Sequence, residues 1–364
     1  MNLKKQVKSF WNESSCGEDL YLKSFQKEDY NEHSKIRYDL EPEIIEFGEF
    51  HKFSNLKTLE IGVGLGSDHL LLAKAGAILS GIDLTERAIN HTKRRFELFG
   101  FNHNLSVSDA ENLPFKENEF DAIYSWGVIH HSADTQNCLD EIYRVLKPGG
   151  FAKIMVYHKH SLVGYMLWIR YGLLALRPFR SLDYIYHNYL ESPGTKAYTF
   201  SVMRKMLVKF KIVSIHTPLG HGDLLTSNAG QRHRGHILNF AKRIWPRWFF
   251  RKFMKKNGLG MMITITRSVF DREELPNGYN NKYPDELFDY EYFLDDIFKH
   301  CNKLFWKTNW QSWATQKVFP ESVRPFLWWP EKNRSSKDGA RSNAMSKPYR
   351  AWYIILTKEE WENR

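Results

Sequence analysis

The stretch Thr58-Leu59-Glu60-Ile61-Gly62-Val63-Gly64-Leu65-Gly66-Ser67 constrains the fold of this chain more than any other. A short apolar run carries an acid near its end, and three glycines follow at alternate positions. The pattern predicts a buried strand, a tight turn and the start of a helix. Glycine suits such a turn because it accepts positive φ and lets a ligand approach bare backbone. Alone the stretch is a weak motif, because a phosphate-binding dinucleotide loop looks similar.

The chain around it alternates strand and helix signals from 57 to 158, which implies a parallel sheet with helices on its faces. Strands are predicted at Lys57–Gly62, Ala77–Leu84, Leu105–Val107, Phe120–Trp126 and Phe151–Tyr157, with helices from Leu70, at 86–98 and at Asp140–Leu146. Lys147-Pro148-Gly149-Gly150 reads as the stop of the last helix. Lys211–His216, after a helix near Ser201–Phe210, and Gly260–Arg267 read as a sixth and a seventh strand. Before the sheet, residues 1–56 are predicted as a polar helical segment, with Pro42 opening a helix over 42–53. The domain is expected to span 57–268, with cap insertions at 159–200 and 218–258, followed by an aromatic-rich extension at 269–364. That extension is predicted to hold a helix at 288–300, a polar stretch at Ser335–Ser346 and a strand at Ala351–Leu356. The apolar run Tyr165–Leu176 is too short to cross a bilayer and suits a cap over a substrate pocket.

Charge separates two regions. The net charge is +10, yet residues 1–158 hold 18 Lys and Arg against 24 Asp and Glu, whereas residues 159–364 hold 34 against 18. The basic part therefore faces something anionic, whether nucleic acid, a phosphorylated small molecule or a membrane surface. Three scattered cysteines (Cys16, Cys138 and Cys301) form no CxxC pair, and no apolar signal core follows Met1. A cytoplasmic protein is expected, with peripheral membrane contact left open.

The acids carry the ligand chemistry. Glu60, Asp83 and Asp109 stand at or just after the carboxyl ends of successive strands, where ligands bind an open parallel sheet. An acid after the second strand suits a ribose diol, and Asp109 with the Ala110 amide suits adenine. NAD would also satisfy Asp83, but it brings a pyrophosphate and the wider GxGxxG spacing. Here Glu60 faces a cationic group rather than a phosphate, which favours the sulfonium and amino-acid part of S-adenosylmethionine.

Five blocks stand in order: Leu59–Gly66; Gly81-Ile82-Asp83-Leu84; Asp109-Ala110-Glu111-Asn112-Leu113-Pro114-Phe115; Phe120–His131; and Glu141–Gly150. Over roughly 55–160 the chain resembles the class I S-adenosylmethionine-dependent methyltransferases, in particular the branch with the ubiquinone and menaquinone biosynthesis enzymes. The resemblance implies an α/β, Rossmann-like seven-stranded sheet whose last strand is antiparallel. It implies that Glu60, Gly62, Gly64 and Gly66 meet the methionine part, Asp83 and Leu84 the ribose, and Asp109 and Ala110 the adenine. Ser125 and Trp126 would lie along the cofactor.

The acceptor half is less legible. Methyl transfer needs alignment and exclusion of water, and a hydroxyl acceptor gains from a base titrating near neutrality. His130 and His131 follow the fourth strand and are the expected catalytic residues; a capping or packing pair is the alternative. His158 and His160 are further candidates. His216, His221, Asp223, His233 and His236 have only loosely metal-like spacing, and no metal site is expected. Arg37-Tyr38 reads as a surface pair, with contact to the cofactor carboxylate as the alternative. Residues 242–256 hold seven basic residues, five aromatics and no acid. A basic surface helix with its aromatic face packed on the cap competes here with a membrane or lipid contact and with RNA. The expected activity is methyl transfer to a small molecule, glycan or lipid-like metabolite, at oxygen by preference, with an RNA methyltransferase or nucleic-acid-binding protein as the alternative.

Overall fold

The central strands of the sheet are apolar runs that show little polar face to water. In β1 (Lys57–Ile61) every residue after Lys57 is buried, as expected of a strand covered by helices on both sides. The computed structural model describes residues 2–18, 22, 24–227, 242–243 and 245–268. The chain divides into two compact units, Met1–Arg267 and Ser268–Arg364. Apart from Ser268, the described residues belong to the first, so the helix, polar stretch and strand expected within 288–356 lie outside them.

The remaining strands are β2 (Ile78–Asp83), β3 (Leu105–Val107), β4 (Phe120–Trp126), β5 (Leu146–Tyr157), β6 (Lys211–His216) and β7 (Gly260–Thr266). They form one sheet in the order β3-β2-β1-β4-β5-β7-β6. β1 pairs in parallel with β2 and β4, whereas β7 runs antiparallel to β5 and β6. The order reverses between β1 and β4, which opens a crevice at their carboxyl ends. Leu59, Ile61, Ile82, Phe120, Ile123, Ile142, Ile154 and Ile263 belong to the core of this sheet.

Several boundaries differ from expectation, among them the helix expected over 42–53, which breaks at Glu49 into Glu43–Gly48 and the 3-10 turn Phe50–Phe53. The helix placed at Asp140–Leu146 is Thr135–Val145, because Asp134 accepts from the Gln136 and Asn137 amides and caps it earlier. β5 begins at Leu146 rather than Phe151: Phe120 faces Leu146 while Ala122 faces Phe151, so the Pro148-Gly149-Gly150 stretch enters the strand as a bulge. In the middle of β5, Lys153 is 3% exposed. Its Nζ donates to the Phe47 carbonyl and to Glu49 Oε2, both at 2.7 Å, so the buried charge is paired.

The N-terminal segment packs over the helix Glu86–Phe99. Its helix Lys27–Leu40 lays the Tyr30 ring under the fully buried Arg95 guanidinium at 4.7 Å, and Arg95 donates to Ser34 Oγ at 2.7 Å. Between β5 and β6 the chain forms the helix Leu162–Trp168, a π-helical turn Ile169–Leu173, and a second pair, Leu182–Ile185 and Tyr186–Leu190. The helix Arg247–Phe253 lies within the basic-aromatic stretch.

Candidate active site

A cavity of about 260 Å³ opens at the carboxyl ends of β1, β2 and β4. The turn after β1 shapes its floor. Gly62 has φ +83°, and a Cβ there would meet Val128 Cγ2 at 2.1 Å. Gly64 has φ +52°, and a Cβ there would meet nothing within 4 Å. Gly62 is therefore fixed by packing, whereas Gly64 leaves a bare cradle in the cavity wall.

Asp83 holds that cradle. Its Oδ2 accepts the Gly64 N–H at 3.2 Å, and its Oδ1 accepts from the Thr85 amide and hydroxyl at 2.9 Å. Burial pushes the Asp83 carboxyl up even though these donors oppose it. Glu60 is 3% exposed and lies 2.7 Å from His69 Nδ1. The distance is that of an ion pair, but burial drives His69 down to about 3, while burial and the Asp68 charge raise Glu60 well above the carboxylate range. Both shifts favour the uncharged forms of the pair. A cation arriving beside Glu60 would favour its ionised form.

Asp109 and Ala110 line the cavity beside Leu84. Asp109 is already engaged: Lys4 donates to its Oδ2 at 2.6 Å and also reaches Glu111 Oε2 at 2.8 Å. The helix Leu3–Glu13 thus forms a wall of the site and brings Val7 and Trp11 with it. Arg37 and Tyr38 are not the surface pair that was expected. Both donate to Asp68, at 3.0 Å and 2.9 Å, because Asp68 is buried on the helix after the glycine turn and needs donors. Tyr124 adds a third donor at 3.2 Å. Burial alone would lower the Arg37 guanidinium, but Asp68 and Glu41 hold it well above its ordinary value.

Twelve of the residues named from the sequence fall into two groups here. Glu60, Gly62, Gly64, Asp83, Leu84, Asp109, Ala110, Trp126 and His131 line the cavity, and Gly66, Ser125 and His130 do not. Gly66 precedes the helix Ser67–Lys74, and a Cβ there would meet Thr92 at 2.9 Å, so packing explains it. Ser125 is fully buried within β4. His130 is fully buried behind the wall, with its ring 4.0 Å from Tyr157 and 4.1 Å from His131. Burial holds His130 well below its ordinary range.

Elsewhere along the cavity, His131 Nδ1 lies 2.8 Å from Ser192 Oγ, and its Nε2 lies 3.3 Å from Glu191 Oε2. Tyr157 donates to the same Glu191 oxygen at 2.9 Å. Trp11 packs edge-on against His131 at 5.4 Å. Sequence reasoning missed Asp68, Tyr157 and Glu191. Asp68 is the one acid in the otherwise uncharged stretch 61–73 after the glycine turn, but nothing local marks Glu191, which comes from the insertion sixty positions after His131. His158 and His160 lie off the cavity wall, and His221 is bonded to Ser227 Oγ at 2.6 Å.

Residues 59–154 match the methyltransferase domain family. The chain is 35% identical to cycloartenol-C-24-methyltransferase of Arabidopsis thaliana over 96 residues, 26% of this chain and 29% of that protein. It is 31% identical to demethylmenaquinone methyltransferase of Tropheryma whipplei over 137 residues, 37% of this chain and 56% of that protein. The chain thus spans between under a third and just over half of these relatives. In fold it is similar to geranyl diphosphate C-methyltransferase from Streptomyces coelicolor A3(2), with a TM-score of 0.50 and 12% identity over 73% of this chain and 98% of that one. S-adenosylmethionine is the cofactor of this domain type, and the acid-lined cavity with its bare Gly64 cradle fits it. Residues 59–154 thus carry a methyltransferase domain, similar to that of the class I S-adenosylmethionine-dependent enzymes of menaquinone biosynthesis.

Proposed function

We propose that the chain transfers a methyl group from S-adenosylmethionine to a hydroxyl of a small, lipid-like acceptor. The carrying observation is that one cavity is lined by two chemically different sets of residues. Glu60, Gly64, Asp83 and Asp109 suit a cationic donor with ribose and adenine, and Arg37 suits its carboxylate. Trp11, Trp126, Met155 and Tyr157 make the other set apolar and aromatic, with His131 and Glu191 as its polar groups. An oxygen held there attacks the methyl carbon; the C–S bond breaks and its electron pair stays on sulfur. The hydroxyl proton leaves through these polar groups. The regions 159–200 and 218–258 act as caps in this reading, and 269–364 as an extension.

Two exposed surfaces support a lipid-like acceptor met at an anionic membrane surface. Leu174, Leu176 and Phe179 project from the insertion, Phe179 with 99% of its surface exposed, beside Arg170 and Arg177. No acid occurs from 159 to 182. The helix Arg247–Phe253 is tied down by Trp245, which donates to the Asp223 carbonyl at 2.9 Å. Its Trp248, 69% exposed, and Phe253 face outward with Arg251 and Lys252. The aromatic face is therefore not packed on the cap as one reading of the sequence had it. Apolar tips among cations match an interfacial contact, and no helix among the described residues is long and apolar enough to cross a membrane.

The test is methyl transfer from labelled S-adenosylmethionine to separated lipid, metabolite and RNA fractions, with vesicle co-sedimentation alongside. Label in the lipid fraction, and binding to phosphatidylglycerol vesicles that Leu176→Asp with Phe179→Asp abolishes, is the expected result. Label in RNA alone would overturn the acceptor assignment.

A further inference from the structure

We infer that His130, His131 and Glu191 form a binding site for a divalent transition-metal cation beside the acceptor-lining residues of the cavity. Each offers one ligand atom, and the three atoms lie within 4.8 Å of one another. Metal–ligand bonds of about 2.0–2.1 Å in tetrahedral array set neighbouring ligand atoms roughly 3.3–3.4 Å apart. His131 Nε2 and Glu191 Oε2 already stand at 3.3 Å. His130 offers a ring nitrogen within 4.8 Å of both.

The second observation is His130 itself. It is fully buried, and neither ring nitrogen has a hydrogen-bond partner. A buried polar group left unpaired destabilises the fold, so an imidazole kept in this state calls for a ligand. A histidine–glutamate hydrogen bond alone would explain His131 and Glu191 but leave His130 orphaned; a shared cation satisfies all three. Supporting groups are in place for it. Ser192 Oγ at 2.8 Å and Thr195 Oγ1 at 3.2 Å can accept from His131 Nδ1–H, which turns the Nε2 lone pair toward the site. Tyr157 fixes the Glu191 carboxylate. Two imidazoles with one carboxylate suit zinc, iron or cobalt better than the oxygen-seeking magnesium or calcium.

The use of the site rests on the proposed oxygen acceptor. Three protein ligands leave a coordination position for the acceptor hydroxyl. Bound there, it ionises more readily, its proton passing to solvent, before the oxygen attacks the methyl carbon.

The test is equilibrium dialysis of the full-length protein against Zn2+, with the visible spectrum of the Co2+ form as a second readout. Stoichiometric binding is expected in the wild type and in His233→Ala with His236→Ala, which controls for another closely spaced histidine pair. His131→Ala and Glu191→Ala should each weaken it by at least about tenfold, and Ser192→Ala, one step removed, by about tenfold. Retained S-adenosylhomocysteine binding certifies that the variants fold. A wild type that binds no Zn2+ or Co2+, or His131→Ala and Glu191→Ala proteins that bind as the wild type does, would overturn the inference. Zn2+ binding without S-adenosylhomocysteine binding would leave the site standing and sink the proposed function instead.

Discussion

Replacing Gly64 by alanine separates the two jobs of the glycine turn. At φ +52° an added Cβ strains the backbone but meets no atom within 4 Å. The left-handed conformation costs an alanine about 1–2 kcal/mol, a fall in Tm of roughly 2–4 °C per kcal/mol for a domain of this size. The protein should therefore fold. The new methyl, however, occupies the cradle where the cofactor approaches bare backbone. Overpacking of about 1–3 kcal/mol corresponds to a loss of about 5- to 150-fold in affinity. Gly62→Ala is the contrasting variant: its Cβ would lie 2.1 Å from Val128 Cγ2 at φ +83°, so it should lose stability first. The assay is calorimetric titration with S-adenosylhomocysteine beside a thermal melt for each protein. A Gly64→Ala protein that melts slightly early yet binds as tightly as the wild type would refute the placement of the cofactor against the turn.

Other outcomes follow from the same geometry. Asp83→Ala removes the acceptor that holds the Gly64 and Thr85 amides together with the proposed ribose contact; at about 1.5–3 kcal/mol for bonds to a charged group, affinity for S-adenosylhomocysteine should drop by at least about tenfold. Lys153 and then Lys52 bind Glu49 and hold its carboxyl at about 2 instead of 4.5. A depressed acid stabilises the fold above its unfolded value and loses that contribution as pH falls through about 4.5 toward about 2, so Glu49→Gln should flatten the urea midpoint against pH in that window. An unchanged slope would remove Glu49 from the acid response. Lys4→Ala breaks the contacts to Asp109 and Glu111 that tie the first helix over the cavity; proteolysis within residues 1–26 should accelerate, and wild-type cleavage rates would show that the helix is held by other contacts.

The middle of the sheet was legible because its strands are buried on both faces. Runs such as Leu59-Glu60-Ile61 and Ala122-Ile123-Tyr124 need no tertiary information to be recognised, and the ends of β2 and β3 beside them locate Asp83 and Asp109. The segments that failed were those governed by a partner. Asp134 moved a helix start through a cap, and the Pro148-Gly149 turn was absorbed into β5 by pairing with β4 and β7. Arg37 resembled a surface residue until Asp68 was brought against it. The two histidines of 130–131 are indistinguishable in sequence, yet one lines the cavity and its neighbour is fully buried with its ring 4.0 Å from that of Tyr157. Glu191 carries no signal of its own, because the insertion that delivers it has no pattern tied to the domain.

The most direct test of the central claim is calorimetric titration of S-adenosylhomocysteine, and separately of NAD, into the full-length chain. Saturable binding of S-adenosylhomocysteine that Asp83→Ala weakens, with no response to NAD, is the predicted result. Binding of NAD in its place, or S-adenosylhomocysteine affinity untouched by Asp83→Ala, would contradict the cofactor assignment on which the proposed reaction depends.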